Sequence, residues 1–305
     1  MRSIPTLIRS IPTLFLFLLT LATSGAMVAT TAQAAPGASA AACDGGNAAS
    51  CNSLAIAYDN GDGVAKDVVR AAQYYTKACN GGNIEGCYNL GVDYDTGEGV
   101  TKDAARAAVL YGKACDGGNA KGCYNLAIDY DSGDGVGKDV ARAAGLYTKG
   151  CNAGHAKSCY DLAVDYDNGE GVTKDAARAA VLYAKGCDGD IAKSCYNLAI
   201  DYDNGDGVGK DVPRAARLYS KACDGGNIKA CYNLAVDYDS GEGVAKDAAR
   251  AADLYGKACD GDHAKSCYNL AIDYATGDGV AKDDGRSTML MKKACTAGET
   301  KACNR

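Results

Sequence analysis

Between residues 43 and 303 the apolar positions follow two alternating templates. In residues 87–122 (CYNLGVDYDTGEGVTKDAARAAVLYGKACDGGNAKG), Cys87, Leu90, Gly91 and Tyr94 fall at i, i+3, i+4 and i+7. That spacing is one stripe on a short helix. Thr96-Gly97-Glu98-Gly99 breaks it, because glycine accepts the positive φ of a helix stop. Asp103 is placed to cap a second helix. There Ala104, Ala107, Ala108, Tyr111, Ala114 and Cys115 make a small-residue face that lets helices approach closely. Asp116-Gly117-Gly118-Asn119 closes that helix. The unit predicted is helix A, loop, helix B, tight turn.

The unit recurs every 36 residues, which predicts seven helix pairs starting at Cys51, Cys87, Cys123, Cys159, Cys195, Cys231 and Cys267. A period of this length marks a solenoid, in which one supersecondary unit stacks on its copies. The fold class expected is all-α, an α/α superhelix over residues 43–305. The end units drift, as capping units do: Asn52 and Ala57 stand where later copies have Tyr and Asp, and Met289-Leu290-Met291 breaks the B-helix pattern. Residues 35–42 are Ala, Gly, Ser and Pro and are expected to form a flexible leader. Residues 296–305 read as a stub.

Ahead of the array, residues 1–34 read as a signal peptide. Arg2 and Arg9 precede an apolar run, Leu14 to Ala22, and Ala32-Gln33-Ala34 is a small-residue cleavage site. The apolar run is too short for a membrane span. A lipid-anchored Cys43 would want a leucine further upstream, and Cys43 already stands in register with Cys51. The expectation is export to a bacterial periplasm or the exterior, with no membrane insertion once the signal is removed.

Removing residues 1–34 takes two arginines from 32 basic residues against 38 acids, so the net charge moves from −6 to −8. An acidic chain argues against nucleic acid and anionic membranes as partners. The chain has no Trp, and both Phe lie in the signal, so Tyr, Leu, Val and Ala must build the interior. Thin cores between stacked helices suit such residues.

Sixteen cysteines share the period, at 43/51, 79/87, 115/123, 151/159, 187/195, 223/231, 259/267 and 295/303. Each pair flanks the turn from a B helix to the next A helix, where the two positions of an antiparallel pair face each other. The pairing expected is therefore Cys43–Cys51, Cys79–Cys87, Cys115–Cys123, Cys151–Cys159, Cys187–Cys195, Cys223–Cys231, Cys259–Cys267 and Cys295–Cys303. Cysteine at this density points to an oxidising compartment. Zinc sites favour two to four intervening residues and often recruit His, and no C-x-x-C redox motif occurs. No metal and no cofactor are expected.

Strings such as YNLAIDYDSGDGVGKDVARAAGLYTKGC resemble Sel1-like repeats, relatives of the tetratricopeptide repeat with a longer A–B loop. The shared marks are Asn-Leu-Gly/Ala, Tyr, Gly-x-Gly-Val, Lys-Asp and Ala-x-x-Tyr, and the added C-x7-C is similar to the Helicobacter cysteine-rich subfamily. The resemblance covers about 43–303. It implies a protein-binding scaffold whose A helices line the concave side, where Asn can hold a peptide backbone. It also implies an alternative, penicillin binding or weak β-lactamase activity. No G-x-S-x-G or S-x-x-K is present to carry that chemistry.

The candidate binding residues are four apart on helix A: Asn89/Asp93, Asn125/Asp129, Asp161/Asp165, Asn197/Asp201, Asn233/Asp237 and Asn269/Asp273. Tyr88, Tyr124, Tyr160, Tyr196, Tyr232 and Tyr268 sit one position before the first of each pair. Such a ladder would accept a protein or peptide segment of cationic character, with acids steering its approach. The bland alternative is a solvated face copied by duplication. The segment from Asp201 resembles a calcium loop only superficially, since Gly205 and Val212 occupy its fifth and twelfth positions. Gly-x-Gly-Val lacks the strand and the Gly-Lys-Ser/Thr ending of a phosphate cradle. His155 and His263, the only histidines, hold a turn position that is Asn47, Asn83, Asn119 and Asn227 elsewhere, and are expected to be exposed.

Overall fold

A computed structural model describes residues 36–303, and the proposed signal segment lies outside them. The described residues form helices joined by short turns. A first helix, α1 (Pro36–Asp44), precedes seven pairs. The A helices are α2 (Ala48–Asn60), α4 (Ile84–Thr96), α6 (Ala120–Ser132), α8 (Ala156–Asn168), α10 (Ala192–Asn204), α12 (Ile228–Ser240) and α14 (Ala264–Thr276). The B helices are α3 (Val68–Asn80), α5 (Ala104–Asp116), α7 (Val140–Asn152), α9 (Ala176–Asp188), α11 (Val212–Asp224), α13 (Ala248–Asp260) and α15 (Asp284–Thr296). A four-residue turn, α16 (Thr300–Cys303), ends the array.

Two expectations need correction. The A helices begin three residues before the cysteines, because the turn residue ahead of them is an N-cap. Asn83 Oδ1 accepts from the Gly86 amide at 2.7 Å, and Asn119 Oδ1 accepts from Gly122 at 2.8 Å. The leader residues 36–42 are helical, within α1. Proline is tolerated in a first helical turn, and alanine is the best helix former.

Helix B begins at its aspartate cap in all seven pairs. Asp103 Oδ1, for example, accepts from the Arg106 amide at 3.0 Å. In the A–B loop, Gly97 ends α4 in the left-handed conformation (φ 85°), its amide bonded to the Asp93 carbonyl. Gly99, two residues on, also has positive φ and lies where a Cβ would strike the Val68 carbonyl of the preceding repeat. Glycine is needed there for both reasons.

The core is a chain of small contacts. In the second repeat Leu90, Gly91, Ala107, Ala108, Tyr111 and Ala114 are buried. Gly86 approaches α3 so closely that a Cβ would lie 2.7 Å from that of Ala78. Where the A-helix partner grows to Ser158 or Ser194, the facing B-helix residue shrinks to Gly150 or Gly186. Along the hairpins, Arg106 lies over the Tyr94 ring at 5.5 Å and donates to its hydroxyl at 3.3 Å, and equivalent Arg–Tyr stacks occur in every pair.

All sixteen cysteines are joined as the spacing predicts, with Cα–Cα distances from 4.4 to 4.9 Å. Each inner bridge crosses from the last turn of a B helix to the first turn of the next A helix, so it staples one repeat to the next. Eight disulfides require a non-reducing environment. Among the described residues, no helix is long and apolar enough to cross a membrane.

Candidate functional site

Each A helix from α4 to α14 carries a polar stripe beside its core face. In α6, Lys121, Tyr124, Asn125, Ile128 and Asp129 fall at i, i+3, i+4, i+7 and i+8, which places them on one side of the helix. The structure brings the predicted Asn and Asp residues into this register, but it does not expose them equally.

The aspartates are deep. Asp93, Asp129 and Asp201 are 8%, 9% and 8% exposed, and Asp165, Asp237 and Asp273 are half-buried. One carboxylate oxygen, Oδ2, of Asp93, Asp129, Asp201 and Asp237 is buried with no hydrogen-bond partner. Each of the six also feels a carboxylate of the preceding repeat: Asp59 for Asp93, Asp95 for Asp129, Asp131 for Asp165, Asp167 for Asp201, Asp203 for Asp237 and Asp239 for Asp273. Burial first, and this like-charge neighbour second, push all six acids up to about 7. A carboxylate forced to lose water beside another carboxylate holds its proton.

The asparagines are tied to tyrosines. Asn125 bonds Tyr88 and Tyr111, Asn233 bonds Tyr196 and Tyr219, and Asn197 and Asn269 bond Tyr183 and Tyr255. Asn89 is half-buried in the same register. The B-helix tyrosines reach further: Tyr183 donates to Asp167 at 2.7 Å and Tyr255 to Asp239 at 3.3 Å. The A-helix tyrosines tilt against them, with ring centroids 6.0 Å apart for Tyr88–Tyr111 and 6.1 Å for Tyr160–Tyr183, Tyr196–Tyr219 and Tyr232–Tyr255. Much of the sequence-predicted ladder is therefore a hydrogen-bonded seam between repeats, open on one side.

Asp161, alone in the Asn position, bonds Tyr124 instead. Burial raises its carboxyl against the lowering effect of that bond, and Tyr124 is pushed up to about 12 by burial and by Asp161.

Three features escaped the sequence reading. The second acidic row (Asp59, Asp95, Asp131, Asp167, Asp203, Asp239) was visible as the second Asp of each Asp-Tyr-Asp or Tyr-Asp string. A row of exposed lysines, Lys121, Lys157, Lys193, Lys229 and Lys265, lies at the other end of the same helices. The histidines are not exposed. Each is half-buried at an N-cap, with its ring against a tyrosine of the preceding repeat: His155 on Tyr124 at 4.7 Å and His263 on Tyr232 at 4.6 Å. Their Nδ1 atoms contact Ser158 Oγ and Ser266 Oγ at 2.9 Å. That contact looks like a nucleophile–base pair, but both serines are fully buried, so a substrate cannot reach the hydroxyl. The segment from Asp201 to Asn204 is helical, within α10, rather than a calcium loop. Among the described residues no group of three or more acidic, His or Cys side chains could hold a metal ion.

Stacked helix pairs, stapled at every turn and presenting one polar seam, define a disulfide-linked repeat scaffold of the α-solenoid class. The Sel1 repeat pattern matches seven times, over residues 48–83, 84–119, 120–155, 156–190, 192–227, 228–263 and 264–299, and the chain belongs to that family. Among solved structures, it resembles a protective antigen of uropathogenic Escherichia coli with an SLR fold. The two are 25% identical over 88% of this chain, with a TM-score of 0.84, and this chain spans 57% of the antigen's length. A Sel1 repeat protein of Oxalobacter formigenes shares the fold at 24% identity, a TM-score of 0.70, and coverage of 88% of this chain and 78% of its own. Cysteine-rich protein B of Helicobacter pylori is 30% identical over 43% of this chain and 94% of its own, with a TM-score of 0.35. No curated protein matches.

Proposed function

We propose that this chain is an exported scaffold that binds a protein or peptide along the A-helix seam, taking cationic groups at the paired aspartates. Sel1 repeats serve generally as interaction modules, and eight disulfides suit a chain that works outside the cytoplasm. The observation that carries the ligand chemistry is the set of orphaned carboxylate oxygens on Asp93, Asp129, Asp201 and Asp237, each beside a second acid. An ammonium or guanidinium group bonded to the more accessible second-row acid of such a pair cancels the repulsion on its buried neighbour. Arginine suits the role best, because its planar fork can grip a carboxylate through two hydrogen bonds.

The test uses an arginine-rich peptide and the triple variant Asp129→Asn, Asp165→Asn, Asp201→Asn. Affinity measured by fluorescence anisotropy at low salt is expected to fall by about tenfold or more, the cost of losing one or two charge-assisted contacts. Unchanged affinity would remove the aspartates from the site. Because the acids ionise near neutrality, wild-type affinity should also rise as pH is taken from about 6 to about 8. A flat profile would contradict the assignment.

A further inference from the structure

The two histidines mark a second kind of site, at the opposite end of the A helices from the aspartates. Repetition copies every residue alike, so positions that break the copy carry more information than those that keep it. Histidine replaces the usual cap at 155 and 263 only, three repeats apart, and the tyrosine, serine and lysine partners match at both. At each, a ring lies against the tyrosine of the preceding repeat. At each, two lysines from successive A helices bear on it: Lys121 and Lys157 at His155, Lys229 and Lys265 at His263. Around His263 these groups line an open hollow of about 410 Å³ whose lining also includes Tyr196, Asn233 and Glu299.

We propose that the His263 hollow binds an oxyanion, a carboxylate or a tetrahedral sulfate-like or phosphate-like group, and that the His155 position is a second, weaker copy of it. Two ammonium groups supply the charge, and Tyr196 and Tyr232 offer faces for the body of the ligand, with Asn233 holding the Tyr196 hydroxyl in place. Glu299 is the one acid in the lining, and its Oε1 is already occupied by the Lys301 amide at 3.2 Å. At the first copy the half-buried carboxylate of Asp161 is bonded to Tyr124, where the second copy has neutral Asn269, so anion affinity is lower there.

The histidine makes the site sensitive to pH. Burial, and then the two lysines, hold His263 below the ordinary imidazole value. The groups facing it are Lys229, Lys265, the Tyr232 and Tyr196 rings, Ser266 and Glu299. A bound oxyanion offsets the lysine repulsion and favours the imidazolium, so binding and protonation reinforce each other. The inference does not depend on the aspartate reading: it shares Tyr196, Tyr232 and Asn233 with the ladder but uses none of its aspartates.

With only two histidines, the imidazole resonances of the whole oxidised chain are two signals, assignable through His155→Asn and His263→Asn. Asparagine fills the same cap at 47, 83, 119 and 227, so both variants keep the turn. Sodium sulfate and sodium acetate are titrated separately, with sodium chloride as the ionic-strength control. The expected result is a saturable shift of the His263 signal at lower anion concentration than the His155 signal, a rise in the His263 pKa on binding, and affinity about tenfold higher near pH 5.5 than near pH 7.5. A response to sulfate but not acetate identifies a tetrahedral oxyanion, and the reverse identifies a carboxylate. Lys229→Gln with Lys265→Gln should abolish the His263 response and leave that of His155. The Asp129→Asn, Asp165→Asn, Asp201→Asn protein should keep the His263 response. Shifts no larger than those in chloride, or a His263 response unaltered in the double lysine variant, overturn the proposal.

Discussion

At the scale of single residues, the aspartates of the seam are the costly elements. Asp129 and Asp201 lose water, face a second carboxylate and leave one oxygen unbonded. Such an acid holds its proton in the folded chain at a pH where the unfolded chain has released it. Between about pH 4 and about pH 7 the native state therefore binds more protons, so stability falls as pH rises through that window and levels off above it. Urea unfolding of the oxidised protein should show a higher midpoint near pH 5 than near pH 8. Asp129→Asn and Asp201→Asn should flatten the profile and stabilise the protein at pH 8, by on the order of 1 kcal/mol each. A midpoint that rises with pH would refute the burial argument. The sequence showed that Asn and Asp share a helical face, because that follows from spacing alone. It did not show that Asn125 spends its hydrogen bonds on Tyr88 and Tyr111, because those partners come from neighbouring helices whose distance no local pattern encodes.

At the scale of the element, a thirteen-residue helix recurs fourteen times with nearly the same ends, and the ends explain its length. The aspartate caps of helix B were legible because Asp before an alanine run has one local reading. The caps of helix A were misplaced by three residues because the cysteine stripe, rather than the turn residue, looked like the start. Two seams depart from the rest. Ile191 at the cap of α10 and His263 at the cap of α14 make no side-chain cap bond to the backbone, and Asp190 and Asp262 before them have φ 60° and 61°, where glycine serves elsewhere. The family match also skips residue 191. Ile191→Asn should restore the missing bond and stabilise the protein by about 1 kcal/mol, read as a higher urea midpoint. No change would show that the isoleucine contributes as much by packing. The disulfide at the Ile191 seam matters correspondingly more. Closing a nine-residue loop is worth about 2.5 kcal/mol on the chain-entropy model. Cys187→Ala with Cys195→Ala should therefore speed amide exchange in α9 and α10 before that in other helices. Uniform exchange would mean the seam is no weaker than its neighbours.

At the scale of the whole molecule, the chain has a finer period than 36. Ile and Val alternate at 56, 92, 128, 164, 200, 236 and 272, and Asp and Glu alternate at 62, 98, 134, 170, 206, 242 and 278. Two open hollows between B helices obey the same 72-residue step: one beside Leu90, Arg106 and Val109, the other beside Leu162, Arg178 and Val181. The unit of the surface is therefore two repeats, while the unit of the fold is one. Solenoid class, repeat number and disulfide pairing were all legible in the sequence, because a strict period turns one local reading into seven agreeing ones. The division of the A-helix face into a lysine end and an aspartate end was less legible, because a helical wheel shows which side a residue faces and hides its place along the axis. Eight residues separate Lys121 from Asp129, about 12 Å along the helix, so the two ends meet different parts of a partner.

The central claim is that partners dock on the A helices and not on the B helices. Both faces offer exposed apolar residues, Ile128 and Val236 on A helices and Val109 and Val181 on B helices. A photoreactive amino acid placed at each position in turn, in oxidised protein saturated with an arginine-rich peptide, measures the docking face directly. Crosslinks from Ile128 and Val236, lost when Asp129, Asp165 and Asp201 become asparagine, are the predicted result. Crosslinks that come instead from Val109 and Val181, or equally from all four positions, would contradict it.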